Sequence, residues 1–385
     1  MGSVLAAAIA PALVAYAPLE HSPATSAPAD EVAGQEAATA SPAPLEAVAP
    51  APAPSPAPVV EPAVPDAPDP EASPAAAAPA AAAPAGTPVP SGVAGAVAAD
   101  DGAGPLAGDT LYGPNAGAAD AAARLQGSRP ADAALLARMA SVPTATWLGA
   151  WNGDVRTAVR NRVAEAQAAG GVPVFVAYNA PNLDCGGHSA SGGAGTAAGY
   201  DAWIREVAAG IGTAEAVVVV EPDTLALLCG DADERVRMLQ SAVRVLEVNP
   251  ATHTYLDAGH SNWVGAPTMA QRLRAAGVAE ADGFALNVSN FQTTASNVTY
   301  GSEVSALLGG AHFVVDTSRN GNGPGNDWCN PSGRALGEPT TTETGHVLVD
   351  AFLWIKTPGE SDGTCNGGPA AGQFWVDYAL GLARS

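Results

Sequence analysis

Lysine occurs once in 385 residues, as Lys356. Lys and Arg together number 16, against 38 Asp and Glu. The resulting formal charge of −22 repels nucleic acid and anionic membrane surfaces, and excludes both as partners. It fits a neutral substrate and a soluble exported protein. The four cysteines form no C-x-x-C pair, and the six histidines show no H-x-x-x-H spacing. No metal and no other cofactor is therefore expected. No G-x-G-x-x-G follows the first strand pattern, so a dinucleotide fold has no support. The longest apolar run near the start, VLAAAIAPALVAYA at 4–17, is about 14 residues, too short to span a membrane.

That run resembles the apolar core of a secretory signal, and Ala15-Tyr16-Ala17 fits small-x-small cleavage. Only Met1-Gly2-Ser3 precede it, without the usual basic residues, so a signal at 1–20 is atypical or truncated. Residues 21–104 are mostly Ala, Pro, Ser, Val and acidic residues, with no aromatic up to Ala99. Such a stretch cannot bury enough apolar surface to offset the entropy of ordering it, so a disordered Pro-rich linker is expected. Residues 105–385 are expected to form the folded domain.

There, apolar strand patterns at 146–151, 172–178, 216–221, 252–257, 283–288, 312–316 and 351–355 alternate with amphipathic runs. Those runs lie at 155–169, 197–211, 231–248 and 267–276. The βα repeat predicts a distorted (β/α) barrel of about seven parallel strands with outer helices. The third pattern reads VVVVEPD, 217–223. It is short, β-branched and stopped by Pro222, as a buried parallel strand should be. Glu221 and Asp223 fall at its carboxyl end, where such folds bind ligands. A carboxyl delivered there by an apolar strand is partly desolvated and suited to act as an acid. The plain alternative is that Asp223 caps the helix starting near Thr224.

The other strand ends carry Trp147 and Trp151, Tyr178 and Asp184, Asp257 with His260 and Trp263, and Asn287 with Asn290. Asp316 with Arg319 and Trp328, and Lys356 with Glu360 and Asp362, complete the rim. Each residue singly has a bland use as cap, core filler or turn former. Together, carboxylates interleaved with indole rings point to carbohydrate: sugars stack C–H faces on Trp and bond hydroxyls to Asp, Asn, Glu and Lys. Glycosidic cleavage needs one protonated carboxyl and a second carboxylate. A solitary lysine after a buried strand points to a site needing a compact ammonium. Cys185, Cys229, Cys329 and Cys365 allow three disulfide pairings.

Five blocks carry a family resemblance: YNAPNLDCGGHSA (178–190), VVVVEPDTLA, YLDAGHSNW (255–263), DTSRNGNGPGNDWCNPSGRALG and DAFLWIKTPGESDG. They resemble the signatures of glycoside hydrolase family 6, the inverting cellulases, from about Ala145 onward. The resemblance implies Asp223 as general acid, Asp184 as the carboxylate raising its pKa, and Asp362 as general base. It implies Trp147, Trp263 and Trp328 as sugar-stacking rings, and Tyr178 and Ser189 at the cleavage point. Asp257, His260, Asn287, Lys356 and Glu360 are implied as polar substrate contacts, and the disulfides as Cys185–Cys229 and Cys329–Cys365. Leu183 stands where the family usually has Arg, which removes a positive neighbour from Asp184. Loops that cover the cleft in exo-acting members look short here. The expectation is a secreted, monomeric endo-1,4-β-glucanase acting on β-1,4-glucan. A cellobiohydrolase is the alternative within the family, and a non-catalytic glucan-binding barrel the alternative outside it.

Overall fold

The valine run sends alternate side chains to two faces, as a strand must. Val217 and Val219 join Val174, Val176, Tyr255, Val314 and Leu353 in one buried cluster. Val218 and Val220 join Phe175, Leu256, Phe284 and the apolar stripes of the surrounding helices in another. This division defines an inner core and a sheet-to-helix core. It is seen in a computed structural model that describes residues 104–186 and 192–385. The signal-like stretch, nearly all of the Pro-rich stretch, and Ser189 lie outside the described residues.

The chain runs β1 (Leu111–Tyr112), α1 (Ala116–Leu125), α2 (Pro130–Ala140), β2 (Thr146–Leu148), α3 (Val155–Ala168) and β3 (Val172–Ala177). Next come α4 (Ala197–Ile211), β4 (Ala216–Val220), α5 (Thr224–Leu227), α6 (Ala232–Leu246) and β5 (Thr252–Asp257). The remainder is α7 (Ala266–Ala275), β6 (Gly283–Leu286), α8 (Thr294–Leu308), β7 (His312–Asp316), β8 (Val349–Leu353) and α9 (Val376–Arg384). Strands β2 to β8 neighbour one another in chain order and pair in parallel throughout. The ends of this sheet meet at a single parallel bridge, Thr144 to Trp354, with Ala145 N–H donating to the Trp354 carbonyl at 3.0 Å. The architecture is the parallel, helix-wrapped one that the βα repeat predicts.

Three departures from the sequence reading have physical causes. An eighth strand, β1, pairs with the start of β3 and leaves the rest of that edge to β2. Two residues carry no periodicity to detect. The first predicted strand stops at Leu148 rather than residue 151, because the chain folds back at Gly149. A Cβ there would lie 2.3 Å from the Trp151 ring. Helices α1, α2 and α9 pack around Trp354 in a third apolar cluster. Of these, only a closing helix near the C-terminus follows from the chain length after Cys365. Among the described residues, no helix is long and apolar enough to cross a membrane.

Candidate active site

Glu221 and Asp223 leave the sheet through a strained turn. Both have positive φ, 52° and 70°, where non-glycine residues cost about 1–3 kcal/mol each. Hydrogen bonds to charged groups, worth about 1.5–3 kcal/mol, offset that cost. The buried Glu221 carboxylate accepts from the N–H groups of Asn179 at 2.9 Å and Ala180 at 2.9 Å. The Asp223 N–H donates to Asp257 Oδ2 at 2.9 Å. Burial pushes the Glu221 carboxyl up to about 7, against the pull of those N–H donors. Glu221 is thus a tie between β4 and the loop after β3.

The Asp223 side chain makes no capping hydrogen bond to α5, so the capping alternative is not what the structure shows. Its carboxyl is held well above the ordinary range, first by burial, then by the negative charges of Asp257 and Asp184. Asp257 is buried at the end of β5. Its Oδ2 accepts from the N–H groups of Asp223 and, at 3.1 Å, of Gly259, while Oδ1 has no hydrogen-bond partner among the described residues. Burial raises Asp257 to about 7, against those two N–H donors. A proton is therefore retained on this carboxyl pair near neutral pH.

Asp184 sits in a short 3-10 turn at φ 51° and accepts from the Tyr178 hydroxyl at 2.9 Å. The loop is tied twice. The Cys185–Cys229 disulfide joins it to the segment after α5. The Arg235 guanidinium, from α6, donates to the carbonyls of Cys229 at 2.6 Å, Pro181 at 2.9 Å and Asn182 at 3.0 Å. Leu183 points into the sheet-to-helix core and is 2% exposed, which accounts for an apolar side chain at this position. Sequence reasoning missed Arg235, whose partners are all backbone carbonyls.

A second charged cluster forms beyond β7 and β8. Arg319 is fully buried and grips Asp362 with Nη1 at 2.9 and 2.8 Å from its two oxygens. Its Nη2 donates to the Ser289 carbonyl at 2.5 Å, and its Cζ lies 4.5 Å from the Phe291 ring centre. The Asn330 N–H donates to Asp362 Oδ2 at 2.9 Å, and the Asp362 N–H returns a bond to Asn330 Oδ1 at 2.8 Å. Lys356 Nζ stands 3.6 Å from Asp362. Burial alone would raise Asp362. The charges of Arg319 and Lys356 outweigh it and hold the carboxyl below its usual range. Burial raises Glu360 in the same cluster and lowers Lys356. The Cys329–Cys365 disulfide closes this region, so the pairing is sequential.

The rings divide by exposure. Trp263 is 39% and Trp328 51% exposed. Trp147 is half-buried; its Nε1 donates to the Ile355 carbonyl at 2.9 Å, and its ring stands edge-on to Tyr178 at 5.3 Å. His260 lies 5.3 Å from Trp263, and burial lowers it to about 4, leaving a neutral imidazole at neutral pH. Asn287 does not face solvent. It is fully buried, gives Nδ2 to the carbonyls of Asp316 and Gln292, and accepts from the Gln292 N–H. In this structure it shapes the turn after β6. Asp316 is likewise spent on the N–H groups of Ser318, Ser289 and Lys356.

Similarity to known proteins covers the folded region just described. The model of the family described as Glycosyl hydrolases family 6 matches residues 107–385. Endoglucanase A of Cellulomonas fimi is 46% identical over 265 residues, covering 68% of this chain and 58% of that protein. The chain thus spans a little over half of that relative's length. Endoglucanase 1 of Streptomyces halstedii is 46% identical over 274 residues, covering 67% of this chain and 84% of the relative. Among solved structures, the endoglucanase Cel6 from Mycobacterium tuberculosis, in complex with methyl-cellobiosyl-4-deoxy-4-thio-beta-D-cellobioside, superposes with a TM-score of 0.68 at 46% identity. That match covers 73% of this chain and 99% of the other.

Proposed function

The chain belongs to glycosyl hydrolases family 6, and from that premise we propose that it hydrolyses internal β-1,4-glucosidic bonds of cellulose and related β-glucans with inversion. The observation that carries this reading is the Asp223 carboxyl at the end of β4, held well above the ordinary range by burial and by Asp257 and Asp184 beside it. Asp223 gives its proton to the glycosidic oxygen as the bond from C1 to that oxygen breaks. A water oxygen bonds to C1 from the opposite face. Its proton passes to Asp362, which Arg319 and Lys356 keep ionised and fixed. So stabilised, Asp362 is a weak base and accepts the proton late, once attack has made the water acidic. The exposed rings of Trp263 and Trp328 supply faces for sugar stacking. Lys356, Glu360, His260 and Ser189 supply hydroxyl partners. The endoglucanase names of both relatives support mid-chain attack. The two disulfides fit export into an oxidising compartment.

NMR of the first anomer released from a defined cello-oligosaccharide tests the reaction: the α-anomer is expected, and the β-anomer would sink the inverting reading. Viscosity of a soluble cellulose derivative should fall early relative to reducing ends released. A slow fall with cellobiose as sole product would make the enzyme a cellobiohydrolase. Binding of glucan with no cleavage would favour the adhesion reading.

Asp257→Asn gives a pH test. It removes a negative neighbour that raises the Asp223 carboxyl, so the acid titrates lower. Activity requires the protonated acid and is lost as pH rises through its pKa. The alkaline limb of kcat should therefore move to lower pH, by roughly one unit. An unmoved limb would mean that Asp257 does not tune the acid.

A further inference from the structure

Asp109, Glu215 and His253 lie at the end of the sheet away from Asp223. They stand just before β1, just before β4 and at the second residue of β5. One potential ligand atom from each falls within 4.8 Å of the others. His253 Nε2 is 3.5 Å from Glu215 Oε1, and its Nδ1 is 3.4 Å from Asp282 Oδ1. Asp282 is itself fixed, since its Oδ2 accepts the Thr254 N–H at 2.8 Å. In the tautomer that gives Nδ1–H to Asp282, Nε2 carries the lone pair and faces Glu215. A carboxylate that fixes the tautomer and direction of an imidazole is the usual support of a metal-binding histidine.

We propose that Asp109, Glu215 and His253 bind a divalent transition cation of the Zn²⁺ type, with Asp282 orienting the imidazole. Three protein ligands, one of them imidazole, leave a position for water and suit Zn²⁺. Ca²⁺ wants six to eight oxygens, and this site offers too few. The ion would fasten the segment before β1 to two central strands.

The test uses the full chain, stripped with chelator and titrated with ZnCl2 or CaCl2 at pH 8. Calorimetry should show one saturable Zn²⁺ site, tighter than Ca²⁺, and Zn²⁺ should raise the Tm. His253→Gln and the milder Glu215→Gln, on an exposed side chain, should each weaken that site at least tenfold. Asp282→Asn, which touches no metal, should weaken it about 10–100-fold. The proposal fails if no Zn²⁺ binds below about 1 mM, if Ca²⁺ binds more tightly, or if His253→Gln and Glu215→Gln leave the affinity unchanged.

Discussion

Asp223→Asn should lower kcat on cellulose by about 10²–10⁴-fold while leaving the fold intact. The side chain makes no capping bond, so helix α5 does not depend on it. Its φ of 70° suits asparagine, which tolerates the left-handed region better than most residues. The substitution also removes a carboxyl crowded by Asp257 and Asp184. The Tm should therefore hold or rise, which separates a lost proton donor from a damaged protein. A second substrate sharpens the reading. A dinitrophenyl cello-oligosaccharide departs as a stable phenolate and needs no proton on its leaving oxygen. The variant should lose far less on it than on cellulose. An equal loss on both substrates would show that Asp223 is not the acid.

That residue was legible because strand-end position and residue type converge on it. The patterns at 252–257 and 312–316 coincide with β5 and β7, whose nearly continuous burial leaves little freedom in register. Strand β4 ends one residue before the pattern does, since Glu221 turns to positive φ. Hydrophobicity does not report where a backbone turns. Helix α8 was invisible for another reason. Its buried face is Asn297, Tyr300, Gly301, Val304 and Ser305, largely polar or small. Gly301 is needed there, since a Cβ would lie 2.4 Å from the Phe313 ring. Asn297 is kept by its bonds to the Gln292 and Thr293 carbonyls and the Ser261 N–H.

The site divides along the same line. Acids and indoles at strand ends can be read from spacing. Groups that act by holding backbone cannot, because any carbonyl or N–H will serve as their partner. Arg235 and Asn330, whose side chains bond backbone groups, carry no such signal. Polar residue type identifies a rim position; it does not say whether the side chain faces the solvent or the turn beneath.

Arg319 combines both kinds of role, and Arg319→Met should be the costliest of these substitutions for stability. The guanidinium is fully buried, and Asp362 beneath it is only 7% exposed at its side chain. Methionine fills similar volume but leaves the carboxylate only Lys356, at 3.6 Å, and the Asn330 N–H. Removing one partner of a buried pair costs about 3–5 kcal/mol, because the other charge loses its compensation. Urea denaturation at pH 7 measures that loss. The wild-type pair holds Asp362 below its unfolded pKa, so its contribution is full above about pH 4 and fades as pH falls through the folded pKa. Without Arg319 the folded pKa rises, and the deficit of the variant should shrink toward acid as the stranded carboxyl takes a proton. Activity should respond in the same sense: the acidic limb, set by ionised Asp362, should move to higher pH. Adding Asp362→Asn to Arg319→Met removes the stranded charge and should recover much of the stability while activity stays low. If the double variant is no more stable than the single one, the loss came from the Ser289 bond and the Phe291 contact, and Asp362 is not held by this arginine's charge.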